Sequence, residues 1–112
     1  MDLLRIADVL DAELVHGPVG WERINIATVF ASDLMSDVLM NDRDDMLLIT
    51  SLSSEQSIRS AGIVGSEAVI IANDKTVTEG MIELAADQDV ALFRARFPKY
   101  DLCVLLGRLL EA

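Results

Sequence analysis

Four short aliphatic runs set the strongest limit on what this chain can become: residues 24–32 (INIATVFAS), 46–50 (MLLIT), 67–72 (EAVIIA) and 90–95 (VALFRA). They are dense in β-branched and aliphatic residues, and the first is apolar on both alternations, as in a strand covered on both faces. Each run is followed, within a few polar residues, by a stretch with helical spacing at 33–40, 53–62, 77–88 and 99–112. The resulting β-α-β-α-β-α-β-α order predicts a mainly parallel sheet of about four to five strands with helices packed on it. Residues 2–17 precede this series as an amphipathic helix, with Asp2 as its cap and Leu3, Leu4, Ile6, Ala7, Val9 and Leu10 at helical spacing. No linker, repeat or low-complexity tract interrupts the chain, so residues 1–112 read as a single α/β domain.

Aromatic residues are only 4% of the sequence, so the core must be built from Leu, Ile, Val, Ala and Met. The apolar fraction of 52% is at or slightly above the top of the usual range, which suggests that some apolar surface closes against another subunit. Nineteen acidic against nine basic residues give a formal charge of −10, a field that opposes nucleic acid and anionic membrane as partners. A single cysteine, Cys103, rules out an intrachain disulfide and points to a reducing, cytoplasmic setting. The first residues lack the basic region and apolar core of a secretory signal, and no apolar run reaches the ~20 residues of a membrane span.

Motifs for catalysis are missing. There is no phosphate-binding loop around Lys75 or Lys99 and no glycine-rich dinucleotide fingerprint. One histidine, His16, and one cysteine make a metal site or a catalytic triad improbable, so neither metal nor cofactor is expected. The acidic groups Asp42, Asp44, Asp45 and Asp87, Asp89 read as solvated surface. An enzyme would need an unexpected cluster, such as Asp33 and Asp37 near Arg59.

Polar residues do gather where the strands end. In a parallel sheet those ends share one edge, and ligands favour the crevice there. Ser32, Asp33, Thr50, Ser51, Ser53, Asn73, Asp74, Lys75, Arg94 and Arg96 belong to that edge, and its hydroxyls, helix starts and two arginines could hold a phosphate or carboxylate. Local structure explains the same residues. Asp33 can cap the helix over 33–40, Ser53 with Gln56 and Thr76 with Glu79 have capping-box spacing, and Asn73-Asp74-Lys75 is turn chemistry. Arg94 and Arg96 have many carboxylates to pair with.

The segment Ser32–Leu39 (SDLMSDVL), followed by an aliphatic strand ending in Thr50 and a helix carrying Arg59, resembles the DRTGG domain family over essentially the whole chain. Such domains occur alone, as parts of some phosphotransacetylases and between CBS domains in regulated pyrophosphatases, and the N-terminal domain of HPr kinase/phosphorylase is related. The stretch nearest the naming motif reads Arg59-Ser60-Ala61-Gly62, Ser51 stands where the family often has Gly, and Arg94 and Arg96 stand where the fourth strand often ends in Thr. The resemblance implies a regulatory or accessory α/β domain, often dimeric and without catalysis of its own.

Two readings of function follow. The first is a non-catalytic regulatory domain acting through self-association, as a homodimer, and through a protein partner such as a separately encoded enzyme or signalling protein. The alternative is a sensor that binds a nucleotide or another phosphorylated metabolite at the sheet edge, through Thr50, Ser51 and the Arg94/Arg96 pair, with Arg59 carried by the resemblance.

Overall fold

The computed structural model describes residues 1–111. Helix α1 (Leu3–Leu10) starts where the Asp2 side chain accepts the Arg5 N–H at 3.0 Å, and it buries Leu3, Ile6, Ala7 and Leu10. It stops earlier than its apolar spacing suggests. Asp11 adopts the left-handed conformation (φ 51°), and its N–H closes on the carbonyls of Ala7 and Asp8. Residues 2–17 are therefore not one helix, because Glu13–His16 forms strand β1.

The rest follows the expected alternation: β2 (Thr28–Ala31), α2 (Met35–Leu39), β3 (Met46–Thr50), α3 (Glu55–Ile63), β4 (Ala68–Ile71), α4 (Glu79–Gln88), β5 (Ala91–Arg94) and α5 (Lys99–Glu111). The five strands lie in the order β1-β5-β4-β3-β2. All neighbours are parallel except β1, which pairs antiparallel with β5 at one edge. The strand expected over 24–32 is shorter, since Ile24 and Ile26 bond instead to the backbone of Leu3 and Met1.

Burial explains why the central runs carry no polar alternation. Every residue of β3 and β4 is buried, because α1 and α5 cover one face and α2, α3 and α4 the other. Leu47, Ile49, Ile70 and Phe93 face the first layer, while Leu48, Val69, Ile71 and Leu92 face the second. The strand β2 is only partly covered and ends in an exposed Ala31, contrary to the expectation of cover on both faces. Among the described residues no helix is long and apolar enough to cross a membrane.

Candidate functional site

Because β2 to β5 run parallel, the connections that leave their C-terminal ends meet on one edge, and the antiparallel β1 begins there beside Arg94. One carboxylate ties three of those connections together. After β2, the Ser32 N–H donates to the Ile49 carbonyl (3.1 Å) and the Ser32 hydroxyl accepts the Leu34 N–H (3.1 Å). That turn leaves Asp33 beside the end of β3. Asp33 Oδ1 accepts the Thr50 hydroxyl at 3.0 Å and the Ser51 N–H at 2.6 Å, while Lys99 Nζ donates to Oδ2 at 2.6 Å. Thr50 is fully buried, and its Oγ1 also accepts the Leu52 N–H at 3.1 Å.

Asp33 was expected to cap α2. Instead Leu34 occupies the cap position without a side-chain bond, and the carboxylate is spent across the sheet edge. Partial burial disfavours its ionised form, but Lys99, the Ser51 N–H and the Thr50 hydroxyl outweigh that, so the carboxyl sits below its ordinary pKa. An N–H, a hydroxyl and an ammonium converging on one carboxylate are the donors a phosphate would seek. Here the chain's own anion holds them. Replacing Thr50 by Val should cost about 1 kcal/mol, because the shape is kept while the Leu52 N–H and Asp33 each lose a partner. Urea titration of Thr50→Val beside Thr50→Ser, which retains the hydroxyl, measures that difference.

The two arginines are occupied in the same way. Arg94 donates through Nη2 to Asp74 (3.0 Å) and through Nε to the Lys75 carbonyl (3.2 Å), and its Nη1 lies 3.7 Å from Glu13. Arg96 pairs with Asp11 at 3.1 Å and stacks over the Phe97 ring at 4.9 Å. The cleft they share holds about 290 Å³ and is lined by Asp11, Glu13 and Asp74 with Arg94 and Arg96. Three carboxylates against two guanidiniums leave that cleft negative, which opposes a polyphosphate. The Lys75 side chain is exposed and makes no ion pair with the described residues.

Ser53 joins the edge by a different route than expected. Its hydroxyl donates to the Thr76 carbonyl and lies 3.6 Å from Met81 Sδ, fastening the entry of α3 to that of α4. It is not a helix cap. Ser54 holds that position for α3 without a side-chain bond, and Thr78, not Thr76, caps α4 by accepting the Met81 N–H. Arg59 is exposed within α3 and makes no ion pair with the described residues, Asp33 and Asp37 included. Burial pushes the Cys103 thiol above its ordinary pKa, with Lys99 opposing, so it stays a protonated thiol beside the α5 core face.

Sequence reasoning thus placed Asp33, Thr50, Ser51 and Asp74 at one edge but omitted Lys99, Glu13 and Asp11. Lys99 was within reach: it follows Pro98 and opens the helix after the last strand, so topology places it on the same edge. The partners Glu13 and Asp11 required knowing that β1 exists.

No family model matches the chain, and no curated protein matches its sequence. A solved structure does match: the CBS and DRTGG domains of the regulatory region of Clostridium perfringens pyrophosphatase, complexed with its activator diadenosine tetraphosphate. The TM-score is 0.79 at 14% identity, over 94% of this chain. The fold is DRTGG-like. The chain corresponds to 45% of the length of that neighbour.

Proposed function

We propose that this chain is a non-catalytic regulatory domain that works through self-association and through a protein partner. The observation that carries this reading is the state of the sheet edge. Arg94, Arg96 and Lys99 each pair with a carboxylate of the same chain. Meanwhile large apolar side chains stand outside the core, Met40 at 84% exposure and Tyr100 at 78%. A surface that neutralises its own anion site and exposes apolar groups is suited to meeting protein. Sedimentation velocity from low to high micromolar concentration tests the self-association. A reversible dimer is expected, and a monomer throughout the range overturns the reading.

The alternative, a sensor for a nucleotide or another phosphorylated metabolite, is favoured by one observation: the neighbour of like fold is a regulatory region complexed with diadenosine tetraphosphate. In that reading a phosphate displaces the Asp33 carboxylate from Thr50, Ser51 and Lys99. Millimolar diadenosine tetraphosphate should leave the melting temperature of this chain unchanged if the edge is closed as described. Ligand at one hundred times its dissociation constant adds about 2.7 kcal/mol, a rise of several degrees, and that result would favour the sensor. Loss of the rise in Arg94→Ala and Arg96→Ala would then place the ligand on that pair.

A further inference from the structure

We propose that the outer edge of β2 is the docking surface for a second copy of this chain, the two β2 strands pairing antiparallel across a two-fold axis. This rests on the self-association reading and names the surface that reading uses. The two edges of the sheet differ. β1 carries Glu13 and an irregularity between Leu14 and His16, both of which discourage a further strand. β2 reads Thr-Val-Phe-Ala with a regular register against β3, and it has no charge, proline or bulge. Among the described residues no strand covers its outer side.

The backbone directions fix which register is available. The N–H groups of Thr28 and Ser32 turn inward, to the carbonyls of Asp45 (3.3 Å) and Ile49 (3.1 Å). By the alternation of a parallel ladder, the N–H and C=O groups of Val29 and Ala31 point outward. A two-fold axis through Phe30 sets Val29 of one protomer opposite Ala31 of its partner, and the reverse. Both pairs then exchange two hydrogen bonds, and the two Phe30 residues face each other between them. The same two residues supply every donor and acceptor, so the arrangement closes on itself. A bound foreign strand would instead leave a new open edge.

The flanking surfaces suit a copy as well. On the Phe30 face, a groove of about 460 Å³ is lined by Asp37, Asp42 and Arg43 together with Met40. Arg43 makes no ion pair with the described residues of its own chain, so its charge is available to an acid of a second copy. The other face has a groove of about 220 Å³ lined by Val29, Ala31, Cys103, Leu106, Gly107 and Leu110, with no charged residue. On a chain of formal charge −10, that is a face on which two copies do not repel. A Cβ added at Gly107 would meet nothing within 4 Å, so the groove has room for a partner side chain.

The test combines light scattering with a cross-link. Wild type should scatter at twice 12.2 kDa, and Ala31→Pro, which removes an outward donor from each protomer, should weaken the dimer at least about tenfold. Far-UV circular dichroism checks that the variant folds. In a Cys103→Ala background, Phe30→Cys should oxidise to a covalent dimer, since facing residues of such a non-hydrogen-bonded pair stand about 4.5 Å apart at Cα, within disulfide reach. A wild-type monomer would overturn both this surface and the self-association reading. A dimer that Ala31→Pro leaves unweakened, with no cross-link, would overturn the β2 edge alone. If Ala31→Pro does not fold, the cross-link decides.

Discussion

Phe93→Ala is expected to remove about 4 kcal/mol of stability. Phe93 sits on β5 between β1 and β4, opposite Leu14 and Ile70, and is fully buried in the layer formed with α1 and α5. Its ring meets Trp21 edge-on, with centroids 5.4 Å apart and planes at 71°. Truncation loses the transfer of the ring and the aromatic contact, and it leaves a cavity that a strand paired on both sides cannot collapse into. In a domain with a typical total of about 5–15 kcal/mol, that is a large share. The melting temperature should fall by roughly 15 °C. Trp21 is the only tryptophan, so its fluorescence follows the same unfolding event in urea. Phe93→Leu, which refills most of the space, should recover more than half of the loss. A loss below about 1.5 kcal/mol for the alanine variant would mean that the packed layer is not closed around this ring.

The parts of the fold that were legible are those whose signal lies in a single segment. The runs that became β3, β4 and β5 needed only their aliphatic density, and their parallel order followed from the helices between them. β1 was not legible, because its apolar residues Leu14 and Val15 extend the helical spacing of α1 and no glycine marks the break. The chain turns there on Asp11. It uses Asp45, Asn73, Asp74 and Asp89 in the same left-handed conformation, with φ between 52° and 72°. Several acids that look like surface charge are thus the residues that reverse the chain at these positions, where glycine is not needed.

The helix caps show the same limit in a different form. Ser53-x-x-Gln56 and Thr76-x-x-Glu79 have the right spacing, yet Ser54 and Thr78 hold the cap positions. Ser53 instead fastens the α3 entry to the carbonyl of Thr76, on a strand-to-helix connection far away in sequence. Local spacing identifies which residues are free to act, but tertiary contact decides which partner they take. The candidate site follows that rule. Topology brought Ser32, Asp33, Thr50, Ser51, Lys75, Arg94 and Arg96 to one edge, and their partners then turned a plausible anion site into a set of internal ion pairs.

Asp33→Ala should test that conclusion most directly, with an expected loss of about 2 kcal/mol. It removes acceptors from the Thr50 hydroxyl, the Ser51 N–H and Lys99 together, so the β2–α2, β3–α3 and β5–α5 connections lose their common fastening. The side chains of Asp33 and Lys99 are 45% and 33% exposed, so solvent screens their attraction and the figure lies toward the low end for charged hydrogen bonds. Asp33→Asn should lose less, because its amide oxygen still accepts from Thr50 and Ser51. The pH dependence separates the charge from the shape. The carboxyl is held below its ordinary 3.8, so its contribution is present above that value and is lost as pH falls through the lower folded-state value. Wild type should therefore exceed Asp33→Asn by a constant margin from about pH 5 to 8, with the margin closing below about pH 4. Calorimetric melts of the two proteins across that range measure it. A margin that stayed constant into acid would mean that packing, and not the ionised carboxylate, holds the edge closed. The same variant also bears on ligand binding, since it frees three donors at once. If inorganic phosphate raises the melting temperature of Asp33→Ala and not of wild type, the carboxylate is the anion that keeps this site shut.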